Sequence, residues 1–302
     1  MVQISNRNDE ALTILSFGAG QDSTAIFFKL IYDAAFRAQY APGKLLVIMA
    51  DTQDEHPDTY AHVEVIKRIA GEHGIEFVHL TSDMGYHTTG WDNGLRGQFR
   101  RNNTCGSKAF SKSCSDKLKI QPIYKFIEAY IGRVYGFEVG RKKALYSYAA
   151  RFGKLRVLVG IAAGEEKRVA KASTGEAWMT RNVQRIYPLI ELGMDRAACQ
   201  AYIRSTGNAV PPPSNCIICP FKSPAEILWT ARNLPQDFAA WVDIEANKIQ
   251  ANRHKGSDNL GVFGRRLLPQ VLADAERDFG WMSAQELNQY RMSHGHCTAT
   301  AY

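Results

Sequence analysis

The residues best suited to phosphate chemistry form a glycine-rich loop, residues 18–24, between an apolar segment and a helical one. Glycines let the backbone approach an anion closely, and the free amides of a following helix's first turn point towards it. Ser23 and Thr24 add hydroxyl donors, and the carboxylate of Asp22 can hold Mg²⁺ on phosphates. The loop lacks the Gly-Lys-Ser/Thr of a Walker A motif. It predicts a phosphate site, with a plain strand-to-helix turn capped by Ser23 as the alternative.

A second candidate centre is the pair Cys216 and Cys219, a Cys-x-x-Cys sequence followed by Pro220. This spacing suits an iron–sulfur cluster, a zinc ion or redox-active thiols. Since a closed metal site needs about four ligands, residues distant in the sequence must supply the others. Two structural thiols paired by chance are the alternative. The remaining cysteines are Cys105, Cys114, Cys199 and Cys297.

Alternating strands and helices must position these residues. Four apolar runs predict buried strands. They are residues 12–17, 45–50, 75–80 and 157–161. Periodic patterns and capping signals predict helices between and after them. These are residues 23–38, 57–74, 120–135 and 195–205. This alternation predicts a Rossmann-like α/β fold with a parallel sheet.

Three charged residues follow predicted strands at the edge where open α/β sheets bind ligands. Asp51 comes after the second strand, and Glu165 and Arg168 come after the fourth. A role for Asp51 in holding Mg²⁺ or ribose, and for the other two at the phosphates, is therefore predicted. A capping acid and a surface ion pair are the alternatives.

Basic residues gather in the glycine-rich segment 84–113, which is predicted to be a loop over a site. They are a candidate grip for nucleic acid or another phosphate, with Trp91 and Phe99 available for stacking. A plain solvent-facing surface is the alternative. The basic residues are Arg96, Arg100, Arg101, Lys108 and Lys112.

Composition excludes wholesale disorder. The chain has 302 residues, of which 45% are hydrophobic, and a net charge of +7. No run approaches the roughly 18 apolar residues of a membrane-spanning helix, and no secretory signal opens the chain, so we expect a cytoplasmic protein without a membrane partner. We divide it into a nucleotide-binding domain, residues 1–185, and a mostly helical, cysteine-bearing segment, residues 186–302, that completes the site.

Four stretches resemble one superfamily, the PP-loop ATP pyrophosphatases. Residues 16–23 match the Ser-x-Gly-x-x-x-Asp-Ser pattern of the PP-loop. Residues 51–59, 114–123 and 160–168 are similar, in the same order, to blocks of the phosphoadenosine phosphosulfate (PAPS) reductase-like family. The tail from residue 187 to 297 looks like a phage and bacterial subgroup of that family. The resemblance implies a sheet of the adenine nucleotide α-hydrolase type.

The resemblance implies an enzyme that cleaves ATP to AMP and pyrophosphate, adenylating an acceptor for iron–sulfur-assisted sulfur transfer. The acceptor is left open between tRNA, DNA and a small molecule, and the sulfur donor is also open. Residues implied in binding ATP and Mg²⁺ are Ser16, Gly18, Gly20, Gln21, Asp22, Ser23, Thr24, Asp51 and Lys119. Those implied in catalysis are Asp22, Ser23, Glu165 and Arg168.

The resemblance also implies a metal centre. Cys114 lies in a matched block, so it is expected as a third ligand beside Cys216 and Cys219. Cys297 is expected as the fourth ligand, ahead of Cys105. Because similar enzymes of DNA phosphorothioation and tRNA thiolation carry a 4Fe–4S cluster, we expect this cluster rather than zinc.

Departures from the family pattern leave two other functions open. Gln53 stands where the family has glycine, and Gly164 stands where it has an acidic residue. These changes favour a nucleotide-binding partner protein without catalytic activity. The other alternative is a thiol-dependent reductase of PAPS or a related sulfonucleotide, with Cys297 as nucleophile. The Glu-Cys-Gly-x-His ending of such reductases is missing.

Overall fold

A sheet of five parallel strands lies at the centre of the protein, a computed structural model that describes residues 10–109, 113–172 and 177–294. The strands are β1 Leu12–Ser16, β2 Lys44–Ala50, β3 Glu76–Leu80, β4 Leu155–Val159 and β5 Val183–Ile186. Their spatial order is β3-β2-β1-β4-β5. The predicted Rossmann-like α/β fold is confirmed.

The chain reverses its direction of travel across the sheet at β1. This strand pairs with β2 on one side and with β4 on the other, so that Ile14 lies between Leu46 and Val157. All three side chains are buried. Open α/β sheets bind ligands beyond the carboxyl ends of the strands at such a reversal. The glycine-rich loop after β1 therefore starts at the position where this architecture binds ligands.

Helices connect the strands and build the C-terminal part of the described chain. The first six are α1 Gln21–Tyr32, α2 Ala34–Tyr40, α3 Pro57–Glu72, α4 Gly94–Asn102, α5 Gln121–Tyr135 and α6 Lys143–Phe152. The others are α7 Lys167–Ala172, α8 Ala177–Asn182, α9 Pro188–Glu191, α10 Arg196–Ser205, α11 Pro224–Asn233, α12 Pro235–Asn252, α13 Leu268–Phe279 and α14 Ala284–His294. Within the described ranges, none of them is both long and apolar enough to cross a membrane.

Two apolar cores cover the two faces of the sheet, since successive side chains of a strand point in opposite directions. On one face Leu15 packs in a core with α1, α3 and α10. On the other, Ile14 packs in a core with α5 and α6. Parallel strands buried on both faces require nearly continuous apolar sequence, which is the pattern that predicted them.

A third core joins α4 to the C-terminal helices around the fully buried Trp241 of α12. Phe99 and Leu95 of α4 and Ile218, between the paired cysteines, pack into it. The loop predicted over residues 84–113 was therefore wrong for α4. Leu95 and Phe99 lie four residues apart, so they share one face of the helix, but the surrounding glycines and arginines obscured this pattern.

Two helix boundaries differ from the sequence prediction. The helix predicted at 23–38 is interrupted at Asp33, whose Oδ1 accepts a hydrogen bond from the amide of Phe36 at 2.9 Å and caps α2. The N-cap of α1 is Gly20, so Ser23 lies inside the first turn. A capping box formed by Ser223 and Glu226 is present at the start of α11. Strand β5 was not predicted, because it is a short edge strand with polar residues in its middle.

The proposed division at residue 185 falls inside β5. After it, α10 contributes Cys199 and Ile203 to the same core as α1 and α3. Residues up to α10 therefore pack as part of the sheet unit. The division into two domains stays a prediction.

We predict that the hydroxyl of Tyr148 in α6 stabilises the start of β1. It accepts a hydrogen bond from the amide of Leu12 at 2.6 Å and donates one to the Leu12 carbonyl at 3.2 Å, in a buried position. The substitution Tyr148→Phe removes both of these buried hydrogen bonds and should lower the free energy of unfolding in urea by about 1–3 kcal/mol. The matched control Tyr146→Phe removes a hydroxyl from an exposed tyrosine of the same helix and should change it by less than about 0.5 kcal/mol. Equal effects of the two substitutions would contradict this account.

Candidate functional site

The glycine-rich loop is held in shape by Ser23. Its Oγ accepts a hydrogen bond from the amide of Gly18 at 3.2 Å and donates one to the carbonyl of Gly20 at 3.2 Å. Ala19 between them adopts a left-handed conformation, with φ 56°. The amides of the first turn of α1 have no partners within the helix and are the groups that would face an anion. Ser23 thus shapes the loop through its side chain, whereas its predicted catalytic role stays a prediction.

Two other segments approach the loop closely. A Cβ atom on Gly160, the residue after β4, would lie 2.7 Å from the Ser23 amide nitrogen. A Cβ on Gly20 would lie 3.3 Å from the Cβ of Ser214, which follows the proline run. Glycine is therefore required at Gly160 for space, and the chain at Ser214 packs directly against the loop.

Two residues predicted to contact the nucleotide have side chains that hydrogen-bond to other parts of the protein. The Nε2 of Gln21 donates to the carbonyls of Pro211 and Met292, both at 3.1 Å. The Oγ1 of Thr24 lies 2.9 Å from Nε2 of His62 in α3, and Thr24 is fully buried. Their side chains anchor α1 to its neighbours. The amide of Thr24 donates to the carbonyl of Gly20 at 3.0 Å, so of these two residues the first-turn amide of Gln21 remains as the predicted contact.

Four charged side chains meet beside the loop. The guanidinium of Arg196 lies 2.6 Å from Oε1 of Glu165 and 3.8 Å from Oδ2 of Asp22. Arg168 pairs with the other carboxylate oxygen of Glu165. Burial raises the pKa of Asp22, against the opposing effect of Arg196. The structure thus brings the predicted residues Asp22, Glu165 and Arg168 together. Arg196, which opens α10, was missed, because a lone arginine in the first turn of a helix carries no local signal.

Asp51 is engaged at the end of β2. Its Oδ1 accepts hydrogen bonds from the hydroxyl of Tyr60 and from the amide of Gln53, both at 2.8 Å. Gln53 has φ 60°, a left-handed conformation that glycine adopts at least cost. This gives a physical reason for the glycine that the resembling family has at the position of Gln53. Asp51 shapes this turn, and its predicted contact with the nucleotide stays a prediction.

Glu55 is the buried carboxylate of the same turn, and its Oε1 has several partners. Lys119 Nζ lies 3.0 Å from it and the hydroxyl of Thr52 lies 3.1 Å away. The thiol of Cys216 is 3.9 Å from the same oxygen. Glu55 and Cys216 also form an isolated antiparallel backbone bridge. Lys119, predicted to bind the nucleotide, is therefore ion-paired with a residue that sequence analysis missed.

A cavity of about 440 Å³ lies beside this turn. Four of its lining residues are cysteines: Cys105, Cys114, Cys216 and Cys219. Burial is the main factor that raises the pKa of the thiols of Cys105 and Cys216 above its ordinary value. Trp91, Phe99 and Phe221 contribute aromatic surface to the same cavity.

The thiols of this cavity fit an iron–sulfur cluster in chemistry and number, because such clusters bind through four cysteine thiolates. No histidine is among the lining residues. Within the described parts of the chain, however, no three histidine, cysteine, aspartate or glutamate side chains lie close enough to hold a metal. The thiols would have to move together on binding. The predicted ligand Cys297 lies outside the described residues, whereas Cys105, the alternative, lines the cavity.

The cysteine-lined cavity meets the carboxyl end of β1 through Lys119. This residue lines the large cavity and also a second cavity of about 30 Å³. The small cavity includes Ser16, the last residue of β1, together with Val157 and Val159 of β4. Lys119 is therefore common to the cysteine centre and the edge from which the glycine-rich loop departs.

A buried lysine supports the segment after Cys219. Lys222 is 2% exposed, and its Nζ lies 2.9 Å from Nε2 of His56 and 2.8 Å from the hydroxyl of Thr230. Burial lowers the pKa of Lys222 to about 8. Its positive charge interacts favourably with thiolates at Cys216 and Cys219.

The basic cluster predicted to grip nucleic acid is divided among different roles. The guanidinium of Arg96 pairs with Asp54 and lies 2.7 Å from Asp237, so it connects α4 to α12. Arg96 is therefore engaged within the protein, and the candidate role of the cluster in gripping a phosphate stays a prediction. Of the remaining members, Arg100 is exposed and Arg101 pairs with Asp92. Lys108 lies over the ring of Phe263. Lys112 lies outside the described residues.

Comparisons with known proteins do not assign this chain to a family. No family model matches the sequence, and no curated protein matches it significantly. The interpretation of the site therefore depends on its own residues and geometry.

We predict that Gly160→Ala distorts the loop. The added Cβ would lie 2.7 Å from the Ser23 amide nitrogen and 3.0 Å from its Cα, so backbone must shift. We expect a loss of about 1–3 kcal/mol in the free energy of unfolding. Gly71→Ala is the control, because its Cβ meets nothing within 4 Å in α3, and it should be neutral or stabilising by about 0.5–1 kcal/mol. A Gly160→Ala protein as stable as the wild type would refute the close approach.

Proposed function

We propose that the protein binds ATP with Mg²⁺ at residues 16–24 and transfers AMP to an acceptor, releasing pyrophosphate. The observation that carries this proposal is the convergence of the glycine-rich loop with Asp22, Glu165, Arg168 and Arg196 at the reversal point of the sheet. Amides and guanidinium groups complement phosphate oxygens, and carboxylates suit Mg²⁺. An anion site and a candidate cation site therefore lie side by side.

The proposed reaction is a displacement at the α-phosphorus. A nucleophilic atom of the acceptor forms a bond to this phosphorus, the bond to the oxygen bridging to the β-phosphorus breaks, and pyrophosphate leaves with the electron pair. The loop amides and the two arginines would stabilise the negative charge that develops on the leaving group. Asp22 and Glu165 would hold Mg²⁺, which supplies further neutralisation of the phosphate oxygens.

The cysteine-lined cavity suggests what becomes of the adenylated acceptor. We propose that Cys105, Cys114, Cys216 and Cys219 hold a 4Fe–4S cluster, with zinc as the lesser alternative. Such a cluster would supply a site where sulfur at the sulfide level, brought by a separate sulfur donor, bonds to the activated acceptor while the bond to the adenylate oxygen breaks and AMP leaves. Residues of this chain would position it: Lys119 lines both this cavity and the small cavity at the end of β1, and Trp91 and Phe99 form part of the cavity wall. A nucleobase of tRNA or DNA, or a small molecule, is the proposed acceptor.

One observation favours a second candidate, the reduction of a sulfonucleotide by Cys297. The carbonyl of Met292 accepts a hydrogen bond at 3.1 Å from Gln21, in the first turn after the loop. Cys297 follows Met292 by five residues in the sequence. In this candidate reaction the Cys297 thiolate attacks the sulfur of PAPS, the bond between that sulfur and the phosphate oxygen breaks, and adenosine 3′,5′-bisphosphate leaves.

The test is to incubate the protein with ATP labelled at the α-phosphate and Mg²⁺ and to separate the products. We expect slow formation of AMP and pyrophosphate, with water as the acceptor, and on the order of a 10²-fold decrease in Asp22→Asn. The control Asp243→Asn removes an exposed carboxylate of α12 and should leave the rate unchanged.

Formation of ADP instead of AMP would contradict the proposed bond cleavage. Absence of ATP binding by calorimetry would contradict the nucleotide site itself. Release of adenosine 3′,5′-bisphosphate from PAPS, lost in Cys297→Ser, would favour the second candidate.

A further inference from the structure

Arg196 occupies an unusual position for a residue of a structural ion pair. Its guanidinium lies 2.6 Å from Glu165 Oε1 and 3.8 Å from Asp22 Oδ2, and its side chain is 16% exposed. Asp22 is largely buried as well, and its Oδ1 has no hydrogen-bond partner among the described residues. The carboxylate as a whole interacts with Arg196 and with the backbone of Ala162. A buried carboxylate oxygen without a partner costs free energy, which a cation bound at Oδ1 would recover.

The four charges of this cluster balance one another. Two carboxylates, Asp22 and Glu165, face two guanidinium groups, Arg168 and Arg196, and all four side chains are between 12% and 20% exposed. An arginine stays protonated at any physiological pH, so it cannot leave the carboxylates by losing its charge. It can only exchange one anionic partner for another.

The backbone that carries Arg196 is fixed on both sides. The carbonyl of Met194 accepts a hydrogen bond from the amide of Ala163 at 2.8 Å, which ties the start of α10 to the segment that bears Glu165. One turn further on, Gln200 donates to the side chain of Gln21 at 3.0 Å. A change of partner by Arg196 therefore requires side-chain rotation alone, without movement of α10.

We propose that Arg196 exchanges partners when the nucleotide binds. Without nucleotide it pairs with Glu165 and shields Asp22 from free divalent cations. With nucleotide it moves to the phosphates, and Asp22 and Glu165 turn to the metal ion that accompanies them. The proposal rests on the proposed function, and it assigns to Arg196 a positioning role that makes metal binding depend on nucleotide binding.

The physical basis is competition for the same carboxylates. A guanidinium and a divalent cation cannot both occupy the space between Asp22 and Glu165. Two oxygens of a phosphate can accept parallel hydrogen bonds from the planar guanidinium of Arg196, and the phosphate carries equal or greater negative charge than a carboxylate. Nucleotide binding thus removes the competitor of the metal. By linkage, the metal must also increase the affinity for the nucleotide by the same factor.

The test is to titrate Mn²⁺, monitored by its electron paramagnetic resonance signal, with and without α,β-methylene-ATP, which resists cleavage between the α- and β-phosphates. In the wild type we expect weak Mn²⁺ binding that strengthens when the nucleotide analogue is present. In Arg196→Ala we expect the Mn²⁺ affinity without nucleotide to rise by about tenfold. We expect the affinity for the nucleotide analogue to fall by about tenfold. Each change corresponds to the loss of one charged interaction. Arg196→Lys should restore part of both affinities.

The control is Arg204→Ala, which removes an exposed arginine of the same helix that contacts Gln200. It should change neither affinity. Thermal unfolding of each variant verifies that the fold is intact. Unchanged or lower nucleotide-free Mn²⁺ affinity in Arg196→Ala would overturn the shielding, and unchanged nucleotide affinity would overturn the exchange of partners. A wild type that binds no nucleotide would instead overturn the proposed function, so the two failures are distinguishable.

Discussion

The buried carboxylate of Glu55 is the constraint on which the arrangement of the site depends. A charged group this deep is tolerated only with a cation and hydrogen-bond donors around it. Lys119 supplies the cation at 3.0 Å and Thr52 a donor at 3.1 Å. Cys216 joins them through its thiol and through a backbone bridge. Two distant parts of the chain, at Lys119 and at Cys216, are thereby fixed against the turn after β2.

This constraint places two kinds of chemistry next to each other. The turn after β2 and the loop after β1 lie at the same edge of the sheet, because neighbouring parallel strands end together. The Cys-x-x-Cys segment is fixed to the first of these, and residues 211–214 lie over the second. The proposed nucleotide site and the thiol-lined cavity therefore lie side by side, and Lys119 lines both the cavity and the end of β1.

The sequence predicted what depends on local pattern. Apolar runs predicted four of the five strands, and the glycine-rich loop and the cysteine pair were evident from spacing alone. It failed where a role depends on a distant partner. In the sequence, Gln21 and Thr24 have the residue types of ligand contacts, but in the structure their side chains bind Met292 and His62. Arg96 has the sequence context of an exposed cation, but it pairs with Asp237. Arg196 and Glu55 were missed for the same reason, because their partners are distant in the sequence.

The central claim is that the cysteine-lined cavity is a metal centre and that it lies beside the proposed nucleotide site at the carboxyl end of β1. Iron, sulfide and zinc analysis of protein purified without oxygen tests it most directly, on wild type, Cys216→Ser/Cys219→Ser and Cys199→Ser. We predict about four irons and four sulfides per chain in the wild type. The double variant should lose them. Cys199→Ser should keep them, because Cys199 lies in the core with α1. Absence of bound metal in the wild type, or iron that survives loss of Cys216 and Cys219, would contradict the account.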